Sequence, residues 1–423
     1  MSVEMKDSGI AWIGEIPKHW EVTRLKNVFC EYNVKSENGT ETLLSLSQYT
    51  GVKPKSETEL AGSHEAESYE GYKIVKAGQL VMNIMLAWNG SYALSDYDGM
   101  ISPAYCIYDF RTVCHKKYFH YLLRIDGYPS AFKTMSRGII DSRLRLYPEQ
   151  FYTFNTVVPP IVEQSRIANF LDKKCAEIDE LIALQEQMIA QLTTYKQSVI
   201  TETVTKGLDS NVKMKDSGVE WIGEIPEHWD MLMLKNVVSI KRGGSPRPIE
   251  EYISDIGYNW IKIGDTTKGS KYIYSCQVKI KESGLSKTRK VQVDDLILTN
   301  SMSFGEPYIL KIDGCIHDGW VVFSDYKNID KEFLYYFLLS PFCKQQFDLQ
   351  VAGGVVQNLN IDKIGTTLLL LPPIKEQSRI ATYLDQKCKE IDELIFVKKE
   401  KIEKLKAYKK SVIYEYVTGK KQV

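Results

Sequence analysis

The chain has 423 residues, 43% of them hydrophobic and 26% charged, the make-up of a soluble globular protein with room for two or three domains. Lysine plus arginine equals aspartate plus glutamate at 54 each, so binding to a polyanion would have to come from local fields and not from a basic surplus. No run of eighteen apolar residues occurs, the opening residues lack a signal-peptide pattern, and the eight cysteines form no Cys-x-x-Cys pair; a cytoplasmic protein with reduced thiols is expected.

The chain is written twice. MKDSGIAWIGEIPKHWEVTRLKNV, starting at Met5, returns as MKDSGVEWIGEIPEHWDMLMLKNV at Met214, and PPIVEQSRIANFLDKKCAEIDELI, starting at Pro159, returns as PPIKEQSRIATYLDQKCKEIDELI at Pro372. This is one duplicated module, since a solenoid would have a several-fold shorter period. The like blocks frame two unlike segments, residues 21–158 and 230–371, each of about 140 residues and so of domain size. In chain order the reading is a short frame segment 1–20, a first variable domain 21–158, a long helix 159–207, a linker with the repeated segment 208–229, a second variable domain 230–371 and a second long helix 372–423. Two constant frames with exchangeable contents suggest one assembly surface carrying two specificities.

Both variable segments read as mixed α/β. In the first, Gly78–Asn83 has the pattern of a strand, a helix is expected over Lys116–Ile125, and the Gly-containing loop Ser136–Arg145 follows. After Pro159-Pro160, Leu171, Cys175, Ile178, Leu181, Ile182 and further apolar residues up to Val204 recur at spacings of three and four, without internal proline or glycine. The double proline suits a helix start, Glu163 favours the positive end of the helix dipole, and Gly207 marks the stop. The second variable segment offers a strand over Asp295–Thr299, a helix over Lys331–Leu339 and a loop over Ala352–Asn360; the second long helix, with Glu376 and Gly419 at its ends, repeats the pattern. About forty residues correspond to roughly 60 Å of helix. An apolar stripe of that length needs cover, and the other copy is the obvious partner. Antiparallel packing would relate the halves by an approximate two-fold axis, with Tyr195 and Tyr408 in the seam.

The framing blocks resemble the specificity subunits of type I restriction–modification systems. The resemblance rests on Pro-Pro-Ile-x-Glu-Gln-x-x-Ile-Ala at Pro159 and Pro372, each followed by Leu-Asp and a long helix, and on Asp-Ser-Gly-x-x-Trp-Ile-Gly-Glu-Ile-Pro-x-His-Trp at Asp7 and Asp216. It implies an α/β protein in which two mixed α/β target-recognition domains are separated by two long antiparallel coiled-coil helices. Each domain would read one half of a bipartite, asymmetric DNA site. It also implies two methyltransferase subunits docked on the frame and motor-nuclease restriction subunits joining them, with S-adenosylmethionine, ATP and magnesium belonging to those partners.

The residues themselves nominate DNA contacts. Arginine pairs with guanine, and asparagine or glutamine with adenine, in the major groove. The first loop offers Arg137, Arg143 and Arg145, and the last offers Gln357, Asn358 and Asn360. A basic island from Ile240 to Lys290 contains eleven lysines and arginines, among them Lys241, Arg242 and Arg247, which share the loop KRGGSPRP with Ser245. Most such side chains hold phosphate or face water in any DNA interface.

Catalytic chemistry is not apparent. There is no G-x-x-x-x-G-K-[ST] loop for nucleotide phosphates, no G-x-G turn for an adenosyl cofactor and no Asn/Asp-Pro-Pro-aromatic motif. Cys114, His115 and His120 supply too few ligands for a metal site, and His317-Asp318 has no nucleophile beside it. Asp179-Glu180 and Asp392-Glu393 are read as a solvated helix face or interface salt bridges, and His19-Trp20 and His228-Trp229 as packing or partner-docking residues. A self-contained methyltransferase or nuclease, and a coiled-coil scaffold for proteins, are the competing readings.

Overall fold

The computed structural model describes residues 4–58, 68–140, 143–301, 304–351 and 359–423. It divides into two compact units. One comprises Met1–Gln185 with Glu400–Val423, the other Glu186–Lys399. The division cuts through both long helices, Ile161–Lys206 and Ile374–Val417, so each unit holds one variable domain, the first part of one helix and the last part of the other.

In the first unit the centre is an antiparallel four-stranded sheet, in the order Phe29–Glu31, Tyr105–Phe110, Leu80–Asn83, Tyr92–Leu94. Leu80–Asn83 is buried along its whole length, because one face meets the main core and the other the smaller cluster of Leu44, Val75, Ala93 and Ile107. The helices Lys116–Leu123 and Gly127–Met135 supply Tyr118, Phe119, Tyr128 and Phe132 to the main core, which also takes in Ile167, Leu171, Val412 and Val417 of the long helices.

The second unit has two mixed sheets of five strands each. One runs Ser239–Arg242, Trp320–Ser324, Leu296–Thr299, Pro307–Leu310 and Tyr272–Ile273; the other runs Ile253–Ser254, Lys279–Ile280, Tyr258–Ile261, Gly314–Ile316 and Arg289–Val291. Its main core joins Phe333, Leu334, Phe337 and Leu338 of the helix Lys331–Leu339 to Val199, Val204, Ile380 and Leu384 of the long helices. The expected strands and short helices are thus present; the first helix ends at Leu123, two residues before the expected Ile125, and the second at Leu339 as read.

The frame closes each domain in the same way. Glu21–Arg24 pairs with Asn155–Val158 in the first unit, and Asp230–Met233 with Leu368–Leu371 in the second, so the chain enters and leaves each variable domain side by side. The helix then starts where the double proline lies: the Pro160 carbonyl accepts from the backbone N–H groups of Glu163 and Gln164 at 2.8 and 3.0 Å, and Pro373 does the same for Glu376 and Gln377. Glu163 favours the dipole as expected and also accepts from Trp20 Nε1 at 2.9 Å and meets His19 Nε2 at 2.7 Å. His228 meets Glu376 at 2.8 Å. The repeated His-Trp pairs therefore pack the opening segment against the helix start. At the other end Gly419 has φ +72°, and a Cβ there would lie 2.3 Å from the Pro17 ring; only glycine fits this stop.

Within each unit the helix portions run antiparallel. In the first, Phe170 stacks on Tyr416 with centroids 4.4 Å apart and Asp179 pairs with Lys409 at 2.6 Å. In the second, Lys196 pairs with Asp392 at 2.7 Å. Asp179 and Asp392 are the same position of the repeated Ile-Asp-Glu-Leu-Ile block, so the interface salt bridge read for these carboxylates is present twice. Tyr195 and Tyr408 are half exposed, next in sequence to the lysines that make these pairs. The stripe is deeply buried at Leu171, Ile178, Val204, Leu384, Ile391 and Val417, whereas Leu181, Leu184, Leu394 and Val397 stand about half exposed. Helical periodicity finds an apolar face but cannot tell a covered stretch from an open one.

Candidate nucleic-acid interface

The loop Lys241–Pro248 is pressed onto a second segment of its domain. Gly243 and Gly244 donate to the Trp320 and Ile316 carbonyls at 2.9 and 3.0 Å. A Cβ on Gly243 would sit 2.1 Å from the His317 carbonyl oxygen, and one on Gly244 2.4 Å from that of Lys287; the Gly-Gly pair is what lets the backbones approach this closely. Beyond it, Asp318 organises the loop. Its carboxylate accepts from Ser245 Oγ at 2.6 Å and lies 3.7 Å from the Arg247 guanidinium, while its carbonyl accepts from Arg242 Nε at 2.9 Å. The hydrogen bond from Ser245 holds the Asp318 carboxyl below the usual range, with help from the nearby His317 and Arg242. The Arg247 side chain remains 80% exposed, and Lys241, paired with Asp325 at 3.5 Å, is a little under half exposed.

The rest of the basic island is mostly surface. Lys268, Lys279, Lys281, Lys287, Arg289 and Lys290 are exposed. Lys287 stands 4.8 Å above the Tyr252 ring and donates to its hydroxyl at 2.6 Å, and Lys290 lies over Tyr258, a basic surface interleaved with aromatic faces. Lys271 is different. It is nearly buried, paired with Asp385 and Glu332, and so is removed from the set open to phosphate.

In the first unit Arg137 and Arg145 face each other as a bridge, each backbone N–H donating to the other's carbonyl at 2.9 Å. The turn they close presents Arg137, Arg143, Ile139 and Ile140 to solvent, Ile139 almost completely. Arg145 is half-buried, with a guanidinium nitrogen 3.7 Å from Met85 Sδ. Asn360 caps the short helix Ile361–Thr366, its side-chain oxygen accepting from Lys363 N at 2.9 Å; Gln357 and Asn358 lie outside the described residues. No local pattern marks Asp318 as a loop organiser, because its partner Ser245 lies 73 residues away in sequence. The His317 ring accepts from Gly319 N at 2.7 Å, and burial lowers its pKa. Among the described residues no group of three or more His, Cys, Asp or Glu side chains is placed to hold a metal ion, and no helix is long and apolar enough to cross a membrane.

Residues 226–407 match the family model of the type I restriction modification DNA specificity domain. The chain is 26% identical to the type I restriction enzyme MjaVIII specificity subunit of Methanocaldococcus jannaschii, over 96% of this chain and 94% of that one. It is 24% identical to the putative MjaX specificity subunit of the same organism, over 97% and 96%. Among solved structures, a chain from work on complex assembly and conformational transition of the type I R-M system matches with a TM-score of 0.73 and 18% identity, covering 95% of this chain and 98% of its own. The HsdS subunit from Thermoanaerobacter tengcongensis matches with a TM-score of 0.52 and 17% identity, over 96% and 98%. These structural likenesses speak for the fold. In sequence over nearly the whole chain, and in fold, the protein is therefore similar to type I restriction–modification specificity subunits.

Proposed function

We propose that the chain reads a bipartite, asymmetric DNA site, one half-site per recognition domain, and has no catalytic step of its own. The observation that carries this is the pairing of one repeated frame with two unlike domains: the strand closure and helix start are repeated with the same pairing and the same backbone hydrogen bonds, while the sheets they enclose differ in strand number and order. Identical domains would read a symmetric site; unlike domains are expected to read unlike halves. The contacts proposed are Arg137, Arg143 and Arg145 in the first domain, and Lys241, Arg242, Ser245, Arg247, Gln357, Asn358 and Asn360 in the second. The exposed cations Lys287 and Lys290 suit the phosphate backbone.

In this reading the constant helices carry the methyltransferase subunits. Leu181 and Leu184 in one unit, and their counterparts Leu394 and Val397 in the other, are exposed apolar residues at matching frame positions, which fits two copies of one partner. Motor-nuclease subunits would join that complex, S-adenosylmethionine, ATP and magnesium would act on the partners, and the assembly would work in the cytoplasm. With no net charge, the chain alone is expected to hold DNA weakly until methyltransferase subunits enclose the duplex. The test is binding of the reconstituted methyltransferase complex to duplexes across a salt series. Affinity that depends on sequence and falls steeply with salt supports the reading; affinity indifferent to both contradicts it and favours a protein scaffold.

A further inference from the structure

The two recognition domains share little sequence, yet each is gripped by the frame at the same two points. Gln164, buried at the start of the first long helix, donates from Nε2 to the Pro159 carbonyl at 2.7 Å and accepts through Oε1 from the backbone N–H of His115 at 2.9 Å. His115 is the N-cap of the domain helix Lys116–Leu123. Gln377 repeats this: it donates to Pro372 at 2.7 Å and accepts from Asp330 N at 2.7 Å, and Asp330 is the N-cap of Lys331–Leu339. Further along, the aspartate of the repeated Leu-Asp pair takes a tyrosine hydroxyl from that same domain helix. Tyr121 donates to Asp172 at 2.8 Å and Tyr336 to Asp385 at 2.6 Å, the two tyrosines standing equally far beyond their N-caps.

Each aspartate also takes a cation, and here the domains diverge informatively. In the first unit Lys117, on the domain helix, pairs with Asp172 at 2.7 Å. The corresponding position of the other helix is Glu332, which repels Asp385. The positive charge comes instead from Lys271, outside that helix, which bridges Glu332 at 2.6 Å and Asp385 and lies 4.9 Å from the ring centres of Tyr335 and Tyr336. Burial works against the Lys271 ammonium, but its hydrogen bonds to Asp385 and Glu332 outweigh that and keep it charged. A charge reversal at one contact has been met by a cation from elsewhere, so that a carboxylate, a tyrosine hydroxyl and an ammonium meet in both units. General packing would not require that restoration.

We infer that Gln164 with Asp172, and Gln377 with Asp385, are positioning residues: a two-point clamp that sets the angle of each recognition domain on its helix and thereby the permitted gap between half-sites. The clamp defines what an exchangeable domain must bring: a helix whose N-cap N–H faces the glutamine, a tyrosine at the place of Tyr121 or Tyr336, and a cation beside it. The inference rests on the proposed DNA reading for its consequence, though not for the clamp itself.

The experiment uses the full chain as wild type, Asp385→Asn, Tyr336→Phe and Gln377→Ala. Hydrogen exchange is followed over Lys331–Leu339, and modification sites are mapped in cells supplying the methyltransferase. Exchange in that helix should quicken by about tenfold in each variant, while Lys116–Leu123 is unchanged. The variants should modify sites whose gap differs by a base pair while keeping both half-site sequences. Unaltered exchange in all three variants overturns the clamp. Quicker exchange with a gap as strict as wild type overturns the positioning role. A wild-type chain that specifies no two-part motif overturns the DNA reading, and the clamp is then judged on exchange alone.

Discussion

Asp318 gathers Ser245, Arg247 and the Arg242 guanidinium about one residue, so its loss should unfasten a loop without opening the core. Asp318→Ala is expected to weaken binding to the half-site read by the second domain by about tenfold, the worth of one charge-assisted hydrogen bond. The other half-site should keep its specificity, as competition with singly mutated duplexes would show; equal losses at both halves would assign Asp318 to folding. A second residue reports on pH. His120 has its Nδ1 enclosed without a partner among the described residues, and burial lowers its pKa from 6.5 to about 4. The folded state therefore resists protonation that the unfolded chain accepts. Stability from this group is fully present above pH 6.5 and is lost as pH falls toward 4, on the order of 1–2 kcal/mol by pH 5. Thermal unfolding at pH 7.5 and pH 5 should show a smaller acid loss for His120→Gln than for wild type.

At the scale of elements, the long helices were legible because duplication printed their register twice and double proline and glycine bracketed them. The seam was not. Tyr195 and Tyr408 fit the apolar periodicity but stand half exposed, while Asp179–Lys409 and Lys196–Asp392 join the helices through carboxylates whose pattern fits a solvated face as well as an interface salt bridge. Such exposed pairs contribute roughly 0.2–1 kcal/mol each and act more to fix register than to add stability. Two outcomes follow. Leu181→Asp should remove one methyltransferase subunit of two from the purified complex, and Leu394→Asp the other, as measured by native mass; full stoichiometry in both variants would exclude this surface. Adding four residues to both helices, next to Gln185 and next to Glu400 where the two units divide, should lengthen the spacer by about 6 Å and widen the recognised gap by about two base pairs. Mapping of modified sites reads this directly, and an unchanged gap would deny the helices their role as a spacer.

At the scale of the whole molecule, the sequence disclosed its organisation more readily than its chemistry. Frames and cassettes followed from comparing the chain with itself, and the antiparallel helix pairing from the need to cover an apolar stripe; the point where the two compact units divide did not, because each unit completes its helix pair with residues far away in sequence. The loop candidates were chosen by composition, and the structure sorts them by setting: Arg143 and Arg247 stand open, Asn360 serves as a helix cap, and Lys271 is withdrawn into the clamp. Burial and pairing depend on which strands come together, and no local pattern reports that. The central claim is that two unlike domains on one frame read two unlike half-sites. The most direct measurement is the map of methylated sites in cells carrying this chain with an active methyltransferase partner, against cells lacking the chain. The account predicts a two-part, asymmetric motif that appears only with the chain. A partner confirmed active that yields no such motif, or a motif that persists without the chain, would contradict it.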